Sequence, residues 1–289
     1  MTEIVATQEH CLRSLSPKDF SSGAHPIWCP GCGDFGVLAS LERGLAHLGR
    51  APHEVVLVSG IGCSSRLPGY MSCYGFHGVH GRALAAATGI KLARPDLEVI
   101  VLGGDGDGFS IGGNHFIHAC RRNIDILYIV MDNRVYGMTK GQPSPTTEPD
   151  WDSDLIPGGS KLSPFNPIAM AITAGATFVA RGFAGDPPEL ADLIHQGIRW
   201  RGFAFLEVLS PCITFRPEQR DWKAKVRHDA VAIEEDRGAA VTKALAEDGF
   251  SLGVLFRGKE TAAEPNTTGN KAITEIEEGF VLTAAAADA

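Results

Sequence analysis

The sequence has no excess of positive charge: 26 lysines and arginines face 34 aspartates and glutamates, for a net charge of -8. A nucleic-acid-binding surface needs a basic field to displace counterions, so nucleic acid is excluded as a partner class. No uninterrupted apolar run approaches the roughly 20 residues of a spanning helix, which excludes a membrane segment. The first twenty residues carry Glu3 and Glu9 and lack a basic stretch followed by an apolar core. No secretory signal is therefore expected, and the expected location is cytoplasmic. A second paired cysteine motif is also missing, because only Cys29 and Cys32 form a Cys-x-x-Cys while Cys11, Cys63, Cys73, Cys120 and Cys212 stand alone. The odd count of seven fits thiols, metal ligands or catalytic groups better than disulfides.

What is present is a chain of 289 residues with 44% hydrophobic content, enough to bury a full α/β core. Its organising stretch is 103–142, GGDGDGFSIGGNHFIHACRRNIDILYIVMDNRVYGMTKGQ. A glycine-rich turn follows the apolar run Val99 to Leu102, so backbone N–H groups can approach an anion without a Cβ in the way. The run Ile126 to Met131 reads as a second buried strand, reached through a helical crossover, and it delivers Asp132, Asn133 and Val135 to a neighbouring loop. Asp105, the Asn133 amide oxygen and the Val135 carbonyl are hard oxygen donors that suit one Mg²⁺ with phosphate oxygens in its remaining positions. A bare Gly-Asp-Gly is ordinary turn chemistry. The strand-loop-helix-strand context and an asparagine 28 positions after Asp105 make it a binding signature.

Ahead of this stretch, prolines and glycines around Cys29 and Cys32 forbid a regular element, and Asp34 is placed to cap a helix through Val37, Leu41 and Leu48. The Cys-x-x-Cys admits a redox pair, a metal or cluster site, or two unligated thiols. Glu54 to Ser59 reads as a strand ending in Gly60-Ile61-Gly62-Cys63-Ser64, and Phe203 to Leu209 as one ending in Ser210-Pro211-Cys212. Both single cysteines therefore fall at C-terminal strand edges, where open α/β sheets place their ligands. An iron–sulfur cluster accepts one close pair plus two distant thiolates. His80 and Arg82 begin a helix ending near Arg94, where they could meet a phosphate or ring. His115 and His118, three residues apart on a helix, are read as packing residues for want of a third ligand. The six prolines of 143–167 mark a long irregular loop of functional size. Strands alternating with helices predict a doubly wound, largely parallel α/β sheet. The expected organisation is an N-terminal arm over 1–24, a binding domain over 25–222, and a tail over 223–289 packing on the core or on a partner.

The motifs WCPGCG, GIGC, HGRALAAATGIKLARP, GGDGDG, NHFIHACRRN, NRVYGMTKGQ and SPC together resemble the β subunit of a 2-oxoacid:ferredoxin oxidoreductase, over about 25–220. The stretch from Gly104-Asp105-Gly106 to Asn133 resembles the diphosphate-binding signature of thiamine diphosphate enzymes. The resemblance implies a pyrophosphate-type domain carrying thiamine diphosphate, Mg²⁺ and one 4Fe-4S cluster. It puts the cluster on Cys29, Cys32, Cys63 and Cys212, and Mg²⁺ on Asp105, Asn133 and Val135. Cofactor contacts are implied for Ile61, Gly62, Cys63, Ser64, His80, Gly104, Asp105, Gly106, Asp107, Asn133, Val135, Tyr136, Gly137, Met138 and Thr139. It further implies an α subunit that supplies the carboxylic acid beside the aminopyrimidine ring, a dimer of αβ heterodimers, ferredoxin as electron acceptor and coenzyme A as acyl acceptor. Lys140, just beyond the cofactor loop, is the expected anchor for a distal substrate carboxylate, which favours 2-oxoglutarate over pyruvate. His80 joins it as an expected catalytic group. A non-oxidative thiamine diphosphate decarboxylase would have no use for four converging cysteines, and an electron-transfer subunit none for the Mg²⁺ loop.

Overall fold

The computed structural model describes residues 15–228 and 233–261. Seven strands form one sheet in the order β2-β1-β3-β4-β6-β5-β7. They are β1 (Val55–Ser59), β2 (Tyr74–His77), β3 (Glu98–Gly104), β4 (Ile126–Asp132), β5 (Phe178–Phe183), β6 (Phe203–Leu209) and β7 (Gly253–Arg257). All neighbours pair in parallel except β7, which runs antiparallel to β5. The helices are α1 (Asp34–Leu48), α2 (Ala83–Ala93), α3 (Asp105–Phe109), α4 (Gly113–Arg122), α5 (Pro167–Ala174), α6 (Pro187–Arg199), α7 (Trp222–Lys225) and α8 (Arg237–Ala246). No helix among the described residues is long and apolar enough to cross a membrane.

The central strands read as unbroken apolar runs because both of their faces are covered. Their side chains divide by alternation: Val56, Val58, Val99, Val101, Ile126, Tyr128, Phe203 and Phe205 enter one core with Leu84, Phe116, Ile168 and Ala240 from α2, α4, α5 and α8. Leu57, Ile100, Leu102, Leu127, Ile129, Ala204 and Leu206 enter the other, with Leu41 and Leu45 of α1 and Leu190 and Ile194 of α6. The chain passes from β1 outward to β2 and then back across to β3, so the sheet's strand order reverses at the β1/β3 boundary. Ligands of open α/β sheets lie at the carboxyl ends of strands at such a switch point.

Several local expectations change. Asp34 does not cap α1, whose N-cap is Gly33; its buried carboxylate instead accepts a hydrogen bond from Ser210 Oγ at 2.8 Å. The glycine-rich stretch after β3 is not a plain turn, since Asp105 opens the short helix α3. Within the tail expected over 223–289, α8 begins at Arg237, where the Asp236 carboxylate accepts from Ala239 N; residues 229–232 lie outside the described residues. Residues 253–257, assigned from sequence to a tail, pair with β5 as an edge strand. At the other end, Phe20 is fully buried against α1, and Ser22 N and Phe20 O bond to Tyr70 O and Ser72 N. Pro143 to Asn166 contains no helix or strand, as expected.

Candidate active site

The loops after β1, β3 and β4 enclose a cavity of about 260 Å³. It is lined by Ile61, Gly62, Cys63 and Ser64 from the first loop, Gly104, Asp105, Gly106 and Asp107 from the second, and Asn133, Val135, Tyr136, Gly137, Met138 and Thr139 from the third. These are the expected cofactor contacts brought together, with the exception of His80, which is not among the lining residues. Gly62 has φ +90°, a conformation that a side chain would strain. At Gly106 a Cβ would stand 2.3 Å from the Tyr136 ring, and the Tyr136 hydroxyl donates to Gly106 O at 2.9 Å. Two of the three loops are thus locked together.

Asp107 does the same for the first two. Its Oδ1 accepts from Ile61 N at 3.2 Å and Gly81 N at 2.7 Å, and lies 3.1 Å from His80 Nδ1. It is a loop organiser at the cavity wall, and it orients the His80 ring, whose side chain is 40% exposed. Arg82 serves as the N-cap residue of α2 and its guanidinium donates to Ile111 O.

Asp105 is buried at the start of α3, and Thr146 Oγ1 lies 2.8 Å from its Oδ2 and 2.8 Å from Asp132 Oδ1. One hydroxyl proton cannot serve two carboxylates at once. Burial pushes Asp105 above the usual carboxylate range. Burial, followed by the neighbouring Asp105 charge, pushes Asp132 up to about 7. Such a pair is short of positive charge, and a divalent cation beside Asp105 would supply it. The Asn133 side-chain oxygen accepts from Val135 N at 3.1 Å, which fixes it in a turn where its second lone pair remains available. The residues present therefore fit Mg²⁺: one carboxylate, one amide oxygen and one backbone carbonyl, all hard donors.

The loops that carry the four cysteines meet beside this cavity, which Cys63 lines. Gly33 N donates to Pro211 O at 3.0 Å and Trp28 Nε1 to Cys63 O at 2.8 Å, which brings the Cys29–Cys32, Cys63 and Cys212 loops together. Burial, Asp34 and the neighbouring sulfurs push Cys63 up to about 11 and Cys32 higher still. Cys212 is raised too, with burial the main cause. Thiols whose ionisation is opposed by one another and by a carboxylate fit a cationic centre between them. No three of these sulfurs lie within 4.8 Å of one another, since among the described residues the only such trio of candidate ligand atoms belongs to Asp186, Glu189 and His228. His115 and His118 join no such group either. Cys120 packs in the opposite core, Cys73 packs against the same core as Cys32 and Cys63, and Cys11 lies outside the described residues.

Lys140 has φ +85° at the tip of a tight turn closed by Tyr136 N to Gln142 O at 2.8 Å and Gly141 N to Tyr136 O at 2.9 Å. It is exposed and does not line the cavity. Thr146, Arg216 and Gln219 were not singled out in the sequence. The first sits in the proline-rich loop and the last two follow Cys212, where no periodicity marks them. The Ser144-Pro145-Thr146-Thr147 run of small hydroxyls directly after the cofactor loop was the one available signal.

A model of the thiamine pyrophosphate enzyme family, C-terminal TPP binding domain, matches residues 31–208. The chain is 44% identical over 246 residues to the 2-oxoglutarate oxidoreductase subunit KorB of Mycobacterium tuberculosis, covering 82% of this chain and 65% of that relative. It is 42% identical over 232 residues to 2-oxoacid:ferredoxin oxidoreductase 1, subunit beta, of Aeropyrum pernix, covering 75% of this chain and 73% of that one. The match to the mycobacterial relative thus spans just under two thirds of its length. A solved structure, 2-oxoglutarate:ferredoxin oxidoreductase from Magnetococcus marinus with 2-oxoglutarate, coenzyme A and succinyl-CoA bound, matches with TM-score 0.85 and 40% identity over 95% of both chains. With the cavity, the oxygen donors and the thiols placed as described, the chain belongs to the thiamine pyrophosphate enzymes, among the β subunits of the 2-oxoacid:ferredoxin oxidoreductases.

Proposed function

We propose that this chain is the β subunit of a 2-oxoglutarate:ferredoxin oxidoreductase, converting 2-oxoglutarate and coenzyme A reversibly to succinyl-CoA and CO₂ and passing electrons singly to ferredoxin. It acts with an α subunit, in a dimer of αβ heterodimers in the cytoplasm. The observation that carries this reading is a shared wall: Cys63 lines the cavity, and Gly137, also in its lining, sits so close to Cys212 that a Cβ there would stand 3.4 Å from the sulfur. A decarboxylase that released no electrons would gain nothing from this arrangement. The substrate follows the relatives, two of which are named for 2-oxoglutarate.

When bound, thiamine diphosphate supplies an electron sink for cleavage beside a carbonyl, and a 4Fe-4S cluster supplies a one-electron acceptor. Asp105, Asn133 and the Val135 carbonyl would hold the Mg²⁺ that carries the diphosphate. Cys29, Cys32, Cys63 and Cys212 would hold the cluster. Asp107 fixes the relative positions of the loops after β1 and β3 and holds the His80 ring by its Nδ1, so the other ring nitrogen is the one free to meet a bound group. Lys140, exposed on the turn just after the cavity-lining Met138 and Thr139, is the residue of this chain that would meet a distal substrate carboxylate.

Anaerobic purification of the assembled complex tests the reading: the β chain should carry stoichiometric thiamine diphosphate and about four irons. Thiamine without iron would make it a non-oxidative enzyme, and iron without thiamine an electron carrier.

A further inference from the structure

The segment after Cys212 is tied to the oxygen-donor loop as closely as to the cysteine itself. Gln219 is 1% exposed. Its side-chain Oε1 accepts from Cys212 N at 2.7 Å while its Nε2 donates to Asn133 O at 2.7 Å. Arg216, 4% exposed, repeats the pattern: its backbone N donates to Cys212 O at 2.8 Å and its Nη1 to Arg134 O at 3.2 Å. Both polar groups of the Cys212 peptide are therefore held by residues whose side chains hold the two carbonyls just before Val135. Arg216 is itself anchored by Glu148 at 2.8 Å and lies over the Trp151 ring at 4.6 Å.

We infer that Gln219 is a positioning residue that sets the oxygen-donor loop and the Cys212 thiolate in one register, so that the Mg²⁺–diphosphate site and the cluster cannot shift independently. A buried primary amide accepts from one backbone through its oxygen and donates to the other through its nitrogen at the same time. Severing both bonds leaves a buried N–H and a buried carbonyl unpartnered in the two places where ligand geometry is decided. The inference rests on the function proposed above, and concerns how this chain holds its two groups rather than which groups they are.

The test uses the assembled complex, purified anaerobically, with readouts other than turnover: the thiamine diphosphate dissociation rate, iron content, and the electron paramagnetic resonance spectrum of the reduced cluster. Gln219→Met keeps the volume and loses both bonds. It should release thiamine diphosphate about tenfold faster or more, the size expected of an orphaned buried partner, and it should alter the cluster spectrum. Gln219→Glu can still accept from Cys212 N but, ionised, cannot donate to Asn133 O. It should shed thiamine diphosphate while keeping the parent's iron content. Ile172→Ala, a core truncation on α5, serves as a control that lowers stability without moving either readout. If Gln219→Met melts earlier yet matches the parent in dissociation rate and spectrum, Gln219 is a packing residue and the inference fails. A Gln219→Glu variant that loses iron but keeps its diphosphate would overturn it as well. A parent complex lacking thiamine or iron would instead overturn the function proposed above.

Discussion

At the scale of single residues, Asp105 carries the largest prediction. Asp105→Ala removes the one charged donor of the proposed Mg²⁺ site, so thiamine diphosphate retention should fall and excess Mg²⁺ should restore it only in part. Cofactor content equal to the parent's, measured after gel filtration, would make the loop structural. Lys140→Ala should raise the KM for 2-oxoglutarate more than for any monocarboxylic 2-oxoacid the complex accepts. Equal effects would move the specificity to the α subunit, which the exposed position of Lys140 makes a sharp test. The donors themselves were legible in the sequence because motif residues at strand ends announce their own chemistry. Thr146 and Gln219 were not. They act by hydrogen bonds across 7 to 86 positions, and no local motif spacing encodes such a bond.

At the scale of elements, α1 carries Cys32 just before its first turn, and Gly36 lets it press onto the β5–α6 connection. A Cβ there would stand 1.9 Å from Ala184 O, backbone that cannot step aside cheaply. Gly36→Ala should cost about 1–3 kcal/mol of stability, as overpacking does, and should lower iron content, because the start of α1 must move with it. An unchanged melting temperature and iron content would contradict the close approach. β1, β3, β4 and β6 could be read from the sequence because burial on both faces makes them apolar runs. β2 could not, since its four residues Tyr74-Gly75-Phe76-His77 are exposed at the sheet edge and show no alternation. β7 falls in the stretch read from sequence as a tail. Its pairing with β5 depends on a sheet edge left open by elements about 70 residues earlier.

At the scale of the whole molecule, Arg181 on β5 joins Glu207 on β6 at 2.6 Å and also pairs with Glu247 after α8, which pins the last described elements to the sheet. Burial holds Glu207 above the usual carboxylate range even with this guanidinium beside it. A carboxyl raised in the folded state contributes its stability at low pH and loses it as pH rises through the folded value. Arg181→Met should therefore cost about 3–5 kcal/mol near pH 8, as breaking a buried pair does, and the deficit should shrink toward pH 5. Denaturant midpoints at the two pH values check this, and a pH-independent deficit would refute it. The chain alone should not turn over, because the proposal places the acid beside the aminopyrimidine on the α subunit; turnover by the isolated polypeptide would refute that. The most direct test of the central claim, that a thiamine site and a four-cysteine cluster share one wall on this subunit, is Cys212→Ala in the anaerobically purified complex. The account predicts thiamine diphosphate near the parent's level, iron sharply reduced, and no electron output to ferredoxin with 2-oxoglutarate and coenzyme A. Iron content and electron output equal to the parent's would contradict it.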